Sequence, residues 1–336
     1  MSNPNIDSQS VGSALADALE RVGPAVFHVT AGDRHASGVV WSAADHLVIT
    51  SSRLFHEQRD AAITLRGGEG AARTGTLVGL DEATEVALVK VNALDDSALA
   101  QPSWSDEPRA VRVGQFVAPV GRTESGLRTT FGLVARIGPA WVTARGGTVD
   151  RYLDIDGTLP PGFSGGPLVD FGGQVLGINT RGLVPGGATI PTATVRRVAS
   201  LLQAGGTTLP GHLGVAIQSV DLPEHLRAGA PAGLLVTGVV PGSAAERAGI
   251  GAGDVIVAID GLATSDHAHL LAALAGKVGK VVKVRLARHG QAVEVDATPE
   301  ARAERRQHGG PAKGGAGGGW APWARAWFGK GGHGCR

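Results

Sequence analysis

The chain has 336 residues, enough for about two domains, and 43% of them are hydrophobic, so it can bury real cores. Its 52 glycines and 4% aromatic content point to short strands and tight turns rather than long helices. Lys+Arg 31 against Asp+Glu 30 leaves a formal charge of +1, which gives no general attraction to nucleic acid. The single cysteine, Cys335, excludes an intramolecular disulfide framework. No apolar run reaches the roughly 18 residues of a membrane-spanning helix. The polar first twenty residues do not read as a signal peptide, so the expected location is cytoplasmic.

In chain order, residues 1–23 form an N-terminal segment in which Val11 to Val22 has apolar residues at helical spacing, ended by Gly23-Pro24. Short β-branched runs follow: Gly38 to Trp41, Leu47 to Thr50, Ala62 to Leu65 and Val86 to Val91. Turn residues separate them, which predicts an all-β barrel or sandwich over 24–205, closed by a helix over Val195 to Gln203. Gly205 to Pro210 reads as a linker. The segment 211–298 has a second texture, with a helix predicted over His267 to Leu274 and a strand over Val281 to Leu286. The tail 299–336 is charged, then glycine-rich, and ends with Trp320, Trp323 and Trp327. Their spacing places three indoles on one helical face, suited to a membrane interface or a partner. The competing reading is a tail without a specific role.

The most informative stretch is Pro161-Gly162-Phe163-Ser164-Gly165-Gly166-Pro167-Leu168-Val169. A serine between glycines suits a nucleophilic loop, because Gly162 brings its N–H close to a substrate without a side chain in the way. The N–H groups of Gly162 and Ser164 then form an oxyanion hole. With Gln174 to Thr180 behind it, this stretch resembles the nucleophile loop of trypsin-like serine proteases of the high-temperature-requirement (HtrA) type. The stretch Leu234 to Ala245, running through Ala248-Gly249-Ile250 into Gly253 to Gly261, is similar to the middle of bacterial PDZ domains. The resemblance implies a mostly β fold: two stacked six-stranded barrels of the trypsin type, then a PDZ domain. It also implies trimers built through the protease domain.

In the resembled family the catalytic histidine follows a strand ending in Thr-Asn-Asn, and the aspartate opens a strand reading Asp-Leu-Ala-Val-Leu-Lys. Here those segments are Val48-Ile49-Thr50-Ser51-Ser52-Arg53-Leu54 and Glu85-Val86-Ala87-Leu88-Val89-Lys90. Both frames persist, with Arg53 at the histidine position and Glu85 at the aspartate position. A guanidinium has no lone pair to offer and stays protonated, so it is no general base. Loss of the base from such a triad costs on the order of 10⁶ in kcat, and an oxyanion hole alone leaves about 10³–10⁴ over water. Opposite charges at the two positions predict an Arg53–Glu85 ion pair. His56, three residues after Arg53, reads as exposed, and His28, His35 and His46 as surface residues. Asp81, Glu82 and Glu85 read as a solvated acidic face.

Metal and cofactor readings are poor. His267 and His269 point about 200° apart on a helix, and one cysteine supplies no ligand cluster. In the PDZ half, His212-Leu213-Gly214-Val215 stands where the resembled family has its carboxylate loop. There Gly214 permits the turn, and Leu213 and Val215 flank the pocket for a peptide's last side chain. Two functions follow. One is a pseudoprotease that binds peptide or unfolded-protein C-termini, acting alone or assembled with an active paralogue. The other is a working serine endopeptidase in protein quality control with Ser164 as nucleophile.

Overall fold

In the computed structural model the described residues are 8–68, 72–92, 99–105, 111–205 and 211–301. Helix α1 (Ser8–Val22) leads into the first barrel, with Val22 and the half-buried Leu15 and Leu19 packed on Ala118, Val120, Val169 and Val175. Pro24 lies in the short 3-10 turn that ends it, as expected for a residue lacking an N–H. Strands β1 (Val26–Ala31), β2 (Arg34–Ser42), β3 (Leu47–Ser51), β4 (Ile63–Arg66), β5 (Arg73–Asp81) and β6 (Val86–Val91) close into a barrel of order β1-β2-β3-β6-β5-β4. Its interior is Val29, Val39, Ile49, Leu65, Leu88 and their neighbours. The predicted runs thus lie in β2, β3, β4 and β6.

The second sheet is wider than the six strands the resemblance implies. Its path is β13 (Tyr152–Ile155), β10 (Gly132–Gly138), β8 (Phe116–Thr123), β14 (Pro167–Asp170), β15 (Gln174–Thr180) and β16 (Ala188–Pro191). Two short strands join from the side: β7 (Ser103–Trp104) pairs with β15 and β9 (Gly126–Thr129) with β8. The end strands β13 and β16 lie against each other without a backbone ladder, so the sheet curls but stays open. A separate hairpin, β11 (Trp141–Val142) with β12 (Thr148–Val149), extends from this domain. Helix α2 (Thr192–Gln203) turns Val195, Val198, Ala199 and Leu202 into the first barrel's core. It starts three residues before the predicted helix.

The C-terminal part is a sheet of order β17-β18-β19-β21-β22, with β20 beside β19. These are β17 (Val215–Asp221), β18 (Ala232–Val239), β19 (Val255–Ile259), β20 (Leu262–Ala263), β21 (Val282–Arg288) and β22 (Gln291–Ala297). Helices α3 (Ala244–Arg247) and α4 (His267–Leu274) cover it, burying Leu234, Ile256, Leu270 and Leu274 in a second core. Caps fix both helix starts: Ser243 accepts from the Glu246 N–H, and Asp266 from the His269 N–H. Backbone pairing runs on to Glu300, which exchanges hydrogen bonds with His212 at 2.7 and 3.0 Å. The linker residues 206–210 and the tail with Trp320, Trp323 and Trp327 lie outside the described residues.

Candidate active site and peptide groove

The nucleophile loop is held by β2. The Ser37 N–H donates to the Ser164 carbonyl at 2.9 Å, and the Ser37 hydroxyl donates to the Gly162 carbonyl at 2.6 Å. Two glycines are required here by geometry. Gly162 has φ +86, and Gly165 has φ +84 with its α-carbon pressed against β2 and β3. A Cβ on Gly165 would fall 2.2 Å from the Ser37 carbonyl oxygen and 2.7 Å from the Ser51 nitrogen, which a left-handed residue in contact with backbone cannot relieve. Among the described residues, neither the Gly162 nor the Ser164 N–H has a hydrogen-bond partner. Both are free to face a carbonyl oxygen.

The Ser164 hydroxyl oxygen accepts one hydrogen bond, from the Arg181 N–H at 3.3 Å. Among the described residues no imidazole or carboxylate is bonded to it. Arg53 sits in a 3-10 turn (Ser52–Phe55) directly after β3, with its side chain about half exposed. Its Nη1 lies 3.5 Å from Glu85 Oε1, an ion pair longer than a hydrogen bond. The Glu85 side chain is fully buried and accepts from the Thr180 hydroxyl through Oε2. Its Oε1 has no hydrogen-bond partner, and the Arg145 Nη1 stands 3.9 Å away. Glu85 also has φ +61, a left-handed conformation that non-glycine residues seldom adopt.

The stretch Thr180-Arg181-Gly182 unites these groups. Thr180 bonds Glu85, Arg181 bonds Ser164, and a Cβ on Gly182 would lie 2.3 Å from Arg53 Nη1. Arg145 and Thr180 are the residues that sequence reasoning missed. Arg145 comes from the hairpin of β11 and β12, where the Thr143 hydroxyl holds the Ala83 carbonyl at 2.7 Å. Neither carries a local signal; the chain topology alone brings them to Glu85.

Two expectations about charged residues are corrected. Asp81 and Glu85 are not a solvated face, being 4% and 2% exposed. Asp81 caps its own turn, accepting from Thr84 Oγ1 at 2.6 Å and the Ala83 N–H at 3.0 Å, which turns its carboxylate inward. Of the three, Glu82 alone faces water. His28 is likewise no surface residue: it lies in β1 at 8% exposure, its ring 5.9 Å from that of His35. Burial, with His35 beside it, holds its pKa below the ordinary histidine range. His56 is exposed and faces Glu57 at 3.9 Å, and among the described residues it makes no hydrogen bond to Ser164. Among the described residues no group of His, Cys, Asp and Glu is placed to hold a metal ion.

A cavity of about 280 Å³ opens between Arg34, Ser52, Arg53, His56, Glu82 and Arg145. A larger one of about 450 Å³ beside α2, lined by Leu153, Leu176 and Arg196 among others, contains no residue of the serine loop.

Among the described residues of the C-terminal sheet β17 pairs only with β18, which leaves its other edge open to an added strand. Ahead of it, Gly214 has φ +80, and a Cβ there would fall 2.3 Å from that of Ser243. The Leu213 and Gly214 carbonyls accept from Ala245 and Val240 at 2.8 Å each. Among the described residues the N–H groups of Leu213 and Gly214 are unpartnered. The Leu213 side chain is 1% exposed within the core, and Val215 packs partly against it.

Comparison with known proteins agrees with this architecture. Residues 36–178 match the family model of the trypsin-like peptidase domain, and residues 235–288 that of the PDZ domain. The chain is 30% identical over 272 residues to the periplasmic pH-dependent serine endoprotease DegQ of Escherichia coli, covering 78% of this chain and 58% of the relative. It is 32% identical over 266 residues to a probable periplasmic serine endoprotease, DegP-like, of Rhizobium meliloti, covering 75% and 50%. The chain therefore spans only half to three-fifths of the length of these relatives. Among solved structures, the HtrA-type protease AlgW with decapeptide superposes with a TM-score of 0.66 at 25% identity, covering 86% of this chain and 98% of that one. The serine endoprotease from Yersinia pestis gives 0.65 at 26% identity, with the same coverage. The chain thus belongs to the HtrA-like family, with a trypsin-like serine protease domain followed by a PDZ domain.

Proposed function

We propose that this chain is a pseudoprotease of its family, binding peptides or unfolded clients without cutting them at a useful rate. One observation carries the reading: the Ser164 oxygen accepts a hydrogen bond from a backbone N–H and, among the described residues, is hydrogen-bonded to no base. Arg53, at the histidine position, cannot take the serine proton at any working pH. The unpartnered N–H groups of Gly162 and Ser164 suit holding a peptide carbonyl. The open edge of β17 and the free N–H groups of Leu213 and Gly214 suit a peptide C-terminus. Assembly as a trimer, or with an active paralogue, belongs to the same proposal, as does a contact made through the Trp-rich tail.

The second reading, an active serine endopeptidase, is favoured by the intact Gly162 to Pro167 loop and by the serine endoprotease relatives. Hydrolysis of an unfolded protein by wild type, Ser164→Ala and Arg53→His/Glu85→Asp separates the two. The pseudoprotease reading expects wild type to equal Ser164→Ala and the double variant to gain activity. Cleavage by wild type that Ser164→Ala abolishes establishes the endopeptidase instead.

A further inference from the structure

The cavity beside Glu85 has unbalanced charge. Of its acidic neighbours, Glu82 is paired with Arg59 at 3.1 Å, and Glu57 faces His56 at 3.9 Å. Asp33, adjacent to Arg34, accepts from the Gln58 amide at 2.8 Å. That leaves the Glu85 carboxylate against three guanidiniums. Arg53 and Arg145 stand 3.5 and 3.9 Å from its Oε1, too far for hydrogen bonds. Arg34 donates to the Arg53 carbonyl at 3.2 Å and, among the described residues, forms no salt bridge, with the neighbouring Asp33 acting on it only at longer range. Each guanidinium carries five donors and is permanently charged; among the described residues Arg34 uses one on the Arg53 carbonyl and Arg145 one on the Glu82 carbonyl at 3.4 Å, so most are unused. A planar oxyanion satisfies such forks best. Glu82 on the cavity wall and Glu85 buried behind Arg53 offset part of this positive charge, and the planar oxyanion that a peptide brings to a cleft is a carboxylate.

We propose that Arg34, Arg53 and Arg145 form a carboxylate subsite of the peptide cleft, selecting segments that carry an acidic group over neutral ones. This rests on the peptide-binding reading above. The subsite and the serine share one support, since Gly182 faces Arg53 and the preceding residue bonds Ser164. The replacement of histidine by arginine therefore does more than remove a base: it puts a fixed cation where a bound segment passes. An Asp or Glu side chain and a chain terminus offer the same carboxylate chemistry.

The test measures fluorescence anisotropy of three labelled peptides of equal length on the full chain carrying Ser164→Ala, which prevents any cleavage. The first has an internal Glu and an amidated end, the second a free terminus and no acidic side chain, and the third Gln and an amidated end. At least one carboxylate peptide is expected to bind about tenfold tighter than the neutral one, with the preference shrinking as salt rises. Arg34→Gln with Arg145→Gln is expected to remove that preference. Arg34→Gln alone leaves the Glu85 contacts in place, so it should reduce the preference in a protein that melts like the parent. A preference for the free terminus that survives the arginine substitutions belongs to the PDZ groove; the subsite is overturned when the internal-Glu preference survives them too, or when the free terminus is the one carboxylate preferred and that preference survives. Equal binding of all three peptides also overturns it while leaving peptide binding intact. No binding of any peptide removes both readings.

Discussion

Among the described residues, the buried carboxylates of Asp254 and Glu85 both face arginine, and they are built differently. In the PDZ domain Arg288 grips Asp254 with a fork: Nε to Oδ1 and Nη2 to Oδ2, both at 2.7 Å, with a further bond from Nη2 to the Gly249 carbonyl at 2.7 Å. Asp254 also accepts from the Gly251 N–H at 2.8 Å. In the protease domain Glu85 is more deeply buried, yet its two arginines stop short of hydrogen bonding and one oxygen has no partner. Forked, saturated geometry is what makes an ion pair a structural element, because each desolvated group is repaid in hydrogen bonds. The Asp254 pair meets that condition and the Glu85 cluster does not. Arg53 and Glu85, which the proposed function reads as a replaced catalytic couple, do not form a saturated bridge, and the cleft keeps unused donors.

The largest expected effect tests this directly. If the cleft is a protease site lacking only its base, Arg53→His/Glu85→Asp should raise hydrolysis of an unfolded protein by at least about a hundredfold. Full repair of such a triad is worth on the order of 10⁶. Aspartate suits position 85 twice over, since it tolerates the left-handed backbone better than glutamate. A double variant as inactive as Ser164→Ala would place the defect elsewhere in the cleft and weaken the contrast.

Next in size is the PDZ pair. Asp254→Ala leaves Arg288 without its fork and should cost about 3 kcal/mol of domain stability, read by denaturant unfolding of the full chain through a probe in the PDZ core. Its pH dependence has a definite sign. Hydrogen bonds from Arg288 hold the Asp254 carboxyl below the usual carboxylate range. The stabilisation is therefore complete above the unfolded-state pKa of about 3.9 and is lost as pH falls through the lower folded value. Wild type and Asp254→Asn should differ most near neutral pH and converge in strong acid. A difference independent of pH would show that the carboxylate's charge is not what stabilises the domain.

How much of this was legible in the sequence follows the range of the forces involved. The glycine pattern around Ser164 reports backbone geometry over a few residues, so the loop reads directly, and Gly165 is forced by atoms that β2 and β3 place against it. Helix α4 lies where its pattern puts it because Asp266 caps it locally. The frames around Arg53 and Glu85 single out two residues that the fold does bring within 3.5 Å of each other. The surroundings of those positions could not be read. Arg145 and Thr180 reach Glu85 from a distant hairpin and strand, and neither spacing nor composition encodes that meeting. The inward turn of Asp81 and the burial of His28 depend on barrel closure, which a local view of mixed acidic residues or a lone histidine does not include.

The smallest expected effect is the sharpest test of the comparison. Arg53→Ala should change the stability of the protease domain by less than about 1 kcal/mol, the range of half-exposed ion pairs. The Arg53 side chain is 54% exposed and makes no hydrogen bond to Glu85, so most of its charge is already solvated. Glu85 retains the Thr180 hydroxyl and the nearby Arg145, and the cavity left by the arginine admits water to Oε1. The measurement is denaturant unfolding of the full chain, with Asp254→Ala run beside it. A cost for Arg53→Ala equal to that of Asp254→Ala would mean that Arg53 and Glu85 form a closed bridge in solution. The two regions would then share one design, and Arg53 would have too few free donors to receive a peptide carboxylate.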